Sequence, residues 1–287
     1  VTGVNFQPDF VWIKSRSGAY DHNLNDAVRG VRLDIKSNTT DAEATDTNGF
    51  QSFNSDGFTV GSALRQNTNG ATNVAWQWNA GGANTTNSTG SVTATVRANQ
   101  KAGFSIAVFT TPTSGTYTVG HGLSATPEFI IFKSRGSGNW ICQHSATGSK
   151  YIILNAEGAA TSDSTVWNST PTSSIVNFGT GFSGYSGASA VMYCWTGIEG
   201  YSKFGSYTGN AGEAAEIFLG EGGFSNTLIS FDLSKTAGLS DSIMTAPDGK
   251  YIKVSTKGGK GAKGLARKLT NITESHRLRT SESTDEK

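Results

Sequence analysis

The sequence predicts an all-β protein built from repeated sandwich-like modules, of jelly-roll type, with a basic, disordered C-terminal tail. Composition is the first reason. Charged residues make up 16% of 287 residues while Gly alone supplies 36, and abundant Thr, Val, Ile and aromatics suit a pleated surface. The second is spacing, because short alternating segments recur between Gly/Asn turn signals and no long segment shows helical periodicity. The third is internal repetition. Pro8 to Arg16 (PDFVWIKSR) returns as Pro127 to Arg135 (PEFIIFKSR), and Asn73 to Trp78 is echoed by Ala190 to Trp195. A third start, Gly200 to Thr208 (GYSKFGSYT), echoes Gly103 to Thr111 (GFSIAVFTT). A period near one hundred residues is too long for a solenoid and fits a row of small domains.

Five segments follow: a first sandwich repeat at 1–82, a linker with leading strand at 83–102, a second repeat at 103–199, a divergent partial third at 200–249, and the tail at 250–287. In the first repeat, Phe10 to Lys14 reads as a strand entering the turn at Ser15 to Gly18. Leu24 to Gly30 is the least strand-like piece, a short helical turn or loop. Val31 to Ile35 alternates as a half-buried strand. Gly49 to Phe53 and Gly57 to Gly61 form a hairpin around Asp56-Gly57, a step suited to positive φ. Val74 to Trp78 is a strand with Trp76 and Trp78 on one side. Ala80 to Asn87 is a flexible connection.

The second repeat is fuller, with strands at Phe104 to Val108, Phe129 to Phe132, Trp140 to Cys142, Tyr151 to Leu154, Ile175 to Phe178 and Ala190 to Trp195, and a turn at Gly120-His121-Gly122. Further strands are expected at Ile217 to Leu219 and Leu228 to Leu233. Seven basic residues from Lys250 to Lys268 then stand among glycines without an intervening acid, which reads as a solvated tail. The chain begins at Val1 without the opening strand of the later repeats, so a fragment or processed product is expected.

A net charge of +1 gives no global attraction to nucleic acid or to an anionic membrane. No apolar run approaches the ~18 residues of a membrane span. Cys142 and Cys194 read as buried thiols, with a disulfide left open because sequence does not give their separation.

The joint pattern of Pro8 to Arg16, Asp26 to Gly30, Ser37 to Thr45, Phe53 to Gly61 and Val74 to Gly82, with Gly120 to Leu123, Pro171 to Ser174 and Glu199 to Asn210, resembles a domain of unassigned function from structural proteins of tailed bacteriophages. The resemblance covers residues 1–210. It implies a virion protein of fibre or appendage type with lectin-like modules, located on the particle surface. It further implies other virion proteins and host-surface polysaccharide as partners, and a homotrimer. It carries over no catalytic residue.

No catalytic motif or cofactor fingerprint is present. His22, His121, His144 and His276 are scattered, and only His144 lies close in sequence to a cysteine, Cys142; no enzyme activity and no cofactor is expected. Asp41, Glu43, Asp46 and Asp56 are candidate Ca²⁺ ligands by residue type but lack EF-hand spacing. Carbohydrate stacks on flat aromatics while amides read its hydroxyls. Trp140 and Trp167, beside Asn139 and Asn168, are expected near the surface as the better ligand candidates; Trp76 and Trp78 are the second choice, with sandwich-core filling as the competing role. The expected function is adhesion to host glycans. A ligand-free spacer or capsid-decorating module is the alternative, and a polysaccharide depolymerase is more distant.

Overall fold

The computed structural model describes residues 1–185, 187–208, 241–245 and 251–255. The chain divides into two units, Val1–Ile198 with Lys203–Glu213, and Glu199–Ser202 with Ala214–Lys287. In the first unit the strands are, in order, β1 Phe10–Ser15, β2 Asn23–Asp26, β3 Leu33–Asp34, β4 Ala44–Thr45, β5 Phe50–Asn54, β6 Gly57–Val60, β7 Asn73–Trp78 and β8 Thr85–Asn87. They continue as β9 Ala94–Asn99, β10 Phe104–Thr110, β11 Tyr117–Gly120, β12 Phe129–Ser134, β13 Ile141–His144, β14 Ile152–Ile153, β15 Ile175–Phe178 and β16 Ser189–Trp195. One four-residue helix, α1 Leu64–Asn67, interrupts them. In the second unit, β17 Asp241–Thr245 pairs antiparallel with β18 Tyr251–Ser255.

Two sheets organise the first unit, one in the order β2-β1-β7 and one in the order β14-β13-β12-β16-β10-β9-β8. The period-two alternation of β10 and β16 sends side chains to both faces of the larger sheet. Phe104, Ile106, Val191 and Tyr193 enter one core with Phe10, Leu24, Ile35 and Ala80. Ala107, Phe109, Ala190, Met192 and Cys194 enter another with Tyr117, Trp167, Val176, Phe178 and Phe182. On the other side of β1, Val11 and Ile13 meet Phe50 and Phe58 from the β5–β6 hairpin. Among the described residues the first unit is nearly all β, with antiparallel sheets packed through three apolar clusters.

The repeat is visible in hydrogen bonding as well as in sequence. Phe10 stands opposite Trp78 and Ser15 opposite Asn73; Phe129 stands opposite Trp195 and Ser134 opposite Ala190. The Asp9 amide donates to Trp78 O and the Glu128 amide to Trp195 O. The Asp9 carboxylate then accepts from the Ala80 amide, and that of Glu128 from the Gly197 amide. The Lys14 ammonium donates to Ser15 O at 2.9 Å, and Lys133 to Ser134 O at 2.8 Å.

Several expectations are corrected. The repeats at 1–82 and 103–199 do not close separate cores: Phe10 lies 4.4 Å from the Tyr193 ring, centroid to centroid, inside a layer shared by both halves. Residues 83–102 are not a free linker, since β8 and β9 extend the seven-stranded sheet. Asn23–Asp26 is a strand, buried throughout, because its polar side chains find internal partners: Asn25 donates to Asp34 and Asp26 accepts from Arg29. The strand expected over Val31 to Ile35 shrinks to Leu33–Asp34, because Arg32 adopts φ 64° and breaks the extended run. Residues 203–208, expected to begin a third repeat, carry no strand. The strands expected at Ile217 to Leu219 and Leu228 to Leu233 lie outside the described residues, as does His276. Within the expected tail, Tyr251–Ser255 is strand, and the remainder lies outside the described residues.

Candidate ligand-binding surface

Trp12 and Trp76 face one another across the β1–β7 pair, edge to face with centroids 6.0 Å apart. Trp76 is 45% exposed, and Trp12 is half-buried against the shared core. Trp12 is held in place because its indole N–H donates to His22 Nδ1 at 2.7 Å. That bond leaves His22 accepting at Nδ1; burial first, then the Lys14 charge, pushes its pKa down. The sheet therefore presents a braced aromatic step at its rim.

A chain of polar contacts runs outward from this step. The His22 amide donates to Asn38 Oδ1, and Asn38 Nδ2 donates to Asp21 Oδ1 at 2.7 Å. Asp21 pairs with Lys36 at 3.2 Å, and Lys36 with Asp41 at 3.0 Å. Asp21 and Lys36 are also walls of an open groove of about 520 Å³, completed by Tyr20, Asp46, Asn48 and Arg65. Arg65 bridges Asp34 and Asp46 and donates to Asn23 Oδ1 at 2.5 Å. Two cations thus meet four carboxylates, Asp21, Asp34, Asp41 and Asp46, so the surplus charge is negative.

The structure separates the sequence-derived candidates sharply. Trp140 and Trp167 are both 0% exposed and are not surface ligand residues. Trp140 donates from its indole nitrogen to Lys36 O at 2.8 Å, and Trp167 packs against Phe178 and Phe182. Asn139 Oδ1 accepts from Asn155. Trp78 is half-buried between Phe10, Phe104 and Trp195, which leaves Trp76 as the exposed member of the set. Trp12, His22 and Tyr20 were missed as site residues; the register of β1 against β7 brings Trp12 to Trp76, and sequence does not give that register.

The four calcium candidates do not converge. Asp41 pairs with Lys36, Glu43 with Arg29 and Arg135, Asp46 with Arg65, and Asp56 accepts from the Gly3 and Asn5 amides. Among the described residues no three His, Cys, Asp or Glu side chains gather as a metal site. The Cys142–His144 pairing also dissolves, because burial pushes the Cys142 thiol up to about 12 and His144 accepts from the Ala146 amide. Cys142 and Cys194 are free and buried. They enter opposite cores from β13 and β16, the two neighbours of β12, about 9.5 Å apart and beyond disulfide reach.

Buried charge lies behind this surface. The Arg29 guanidinium meets Asp26 at 2.5 Å and Glu43 at 2.9 Å, and the Tyr193 hydroxyl donates to Asp26 at 2.7 Å. Burial works against the Arg29 charge, but Asp26, then Tyr193 and Glu43, outweigh it and its pKa is raised. Arg135 closes the network on Glu43 at 2.5 Å.

Among the described residues no helix is long and apolar enough to cross a membrane. No curated protein and no solved structure matches the chain. The profile of a domain of unknown function, DUF7483, matches residues 1–237, and the chain belongs to that family.

Proposed function

We propose that this protein is a non-enzymatic adhesive module that binds carbohydrate at the Trp12–Trp76 step and the groove beside it. The observation that carries the reading is the half-exposed Trp76, braced by a second tryptophan that is itself fixed by His22. An indole face so held offers a flat apolar surface to the C–H face of a sugar ring without further loss of side-chain freedom. The groove supplies the amides, hydroxyls and carboxylates that read sugar hydroxyls. Its charged walls balance, Asp21 and Asp46 against Lys36 and Arg65, which favours neutral sugars over strongly charged ones.

The setting we propose is a lectin-like module in an appendage of a phage virion, adhering to host-surface glycans and gaining strength from several copies. The phage context rests on the sequence resemblance alone. The interlocked halves, joined by Arg135–Glu43, Arg97–Asp9 and the Trp140–Lys36 contact, equally suit a rigid spacer, the second reading.

The test is a glycan array and whole-cell panel probed with the full chain displayed on a tetrameric carrier. Binding that persists at moderate salt and is lost in Trp76→Ala supports adhesion at this step. Silence from a folded, multivalent sample supports the spacer.

A further inference from the structure

The internal repeat reveals an open place on the smaller sheet. In the second half β16 is paired on both sides, by β12 and by β10. Its equivalent β7 is paired by β1 alone and ends its sheet. Arg16 donates to Thr72 O, which fixes the alternation: the backbone groups of Val74, Trp76 and Trp78 point to β1, and those of Asn73, Ala75 and Gln77 point away. The corresponding groups of Ala190, Met192 and Cys194 are those that meet β10, opposite Phe109, Ala107 and Ser105. Among the described residues no strand pairs with the outer edge of β7. This edge is six residues long, without charge, proline or glycine (NVAWQW), and so lacks the features that keep an edge from pairing.

The chain also holds a second version of the strand that belongs there. Gly200 to Thr208 echoes the β10 segment Gly103 to Thr111, and its first glycine repeats the positive φ of Gly103, 72° against 66°. Residues 203–208 form no strand, and Tyr201 and Tyr207 are 55% and 68% exposed. We propose that the outer edge of β7 takes residues 203–207 of a second copy of this chain as an added antiparallel strand. Transferring the β10–β16 register places Lys203 opposite Trp76, Phe204 opposite Ala75 and Gly205 opposite Val74. Phe204, which stacks on Phe129 at 6.2 Å within its own chain, is exchanged into the neighbour's sheet. The contact joins two different surfaces, so it repeats head to tail and closes into a ring or continues as a filament. It does not rest on the carbohydrate reading. The strand adds in the plane of the sheet, while the Trp76 ring stands on its face.

The register gives a direct test. Gly205 and Val74 face one another as a non-hydrogen-bonded pair, the closer of the two antiparallel spacings. Full-length Val74→Cys and Gly205→Cys proteins, mixed under mild oxidation, should form a disulfide-linked heterodimer. Its yield should be about fivefold or more above a mixture of Val74→Cys with Leu154→Cys, an exposed position outside the segment. Light scattering of the native chain should show mass rising with concentration. Ala75→Pro, which removes an outward-facing amide and no bond within the sheet, should hold it monomeric. Absence of the mixed disulfide, or a concentration-independent monomer, overturns the proposal. The cross-linking result decides the matter even where Ala75→Pro fails to fold.

Discussion

At the residue scale, chemically similar side chains have different roles because of where the strands place them. Trp140 and Trp76 are both tryptophans beside polar neighbours in sequence, yet one is sealed and one is half open. Trp140→Ala should lower stability by about 3–5 kcal/mol, read by chemical denaturation, whereas Trp76→Ala should change it by less than about 1 kcal/mol. Lys133 is fully buried, its ammonium donating to Ser134 O and Gly136 O, and burial holds its pKa down at about 8. From pH 8 to the unfolded lysine value near 10.5 the unfolded chain binds the extra proton, so this group's contribution to stability rises with pH. Lys133→Met should therefore be most favourable relative to wild type below pH 8, and should lose about 3 kcal/mol of that advantage by pH 10.5. Comparing the two proteins removes the opposite trend of Tyr117 and Cys142, whose burial raises their pKa values.

His121 is sealed in the Gly-His-Gly turn, with Nε2 donating to Thr172 O at 3.2 Å and Nδ1 accepting from the Leu123 amide. Burial pushes its pKa down. Below the ordinary histidine value near 6.5 the unfolded chain takes up the proton first, so stability is present above that pH and declines as pH falls. Melting temperatures between pH 7 and pH 5 should drop more steeply for wild type than for His121→Gln. Equal slopes would remove His121 from the account.

At the element scale, the strands with strong alternation were legible: Phe10 to Lys14, Val74 to Trp78, Phe104 to Val108 and Ala190 to Trp195 all form as expected. The β5–β6 hairpin also turns at Asp56-Gly57, with Gly57 at φ 139°. The misread elements are those whose pattern is set from outside. Asn23–Asp26 is polar in sequence but lies under Arg29 and Asp34, and its hydrogen bonds compensate the burial. Thr85–Asn87 looks like linker but finds a partner in β9. Of the candidate site only Trp76 was legible; Trp12, His22, Asn38 and the groove walls converge through strand pairing and cross-chain hydrogen bonds, which leave no local signal. The repeated Pro-x-Phe element has a further consequence, because Arg135 binds Glu43 across the two halves. Removing one partner of a largely buried pair strands the other. Glu43→Ala should cost about 3–5 kcal/mol by leaving Arg29 and Arg135 facing one another, measured as a shift in denaturation midpoint.

At the scale of the whole molecule, the halves that read as separate domains share one core, with Phe10, Tyr193, Trp78 and Trp195 in mutual contact. The first unit should unfold in a single calorimetric transition; two transitions assigned to 1–82 and 103–199 would contradict the shared core. Such a body holds its surface features in fixed relation, as either a multivalent adhesin or a spacer requires. Glycan binding by the intact chain, multivalently displayed and compared with Trp76→Ala and Trp167→Phe, decides between them. The account predicts binding in the wild type and in Trp167→Phe, and a loss of at least tenfold, about 1.4 kcal/mol, in Trp76→Ala. Equal binding by Trp76→Ala, or no binding by a folded wild type, would contradict it.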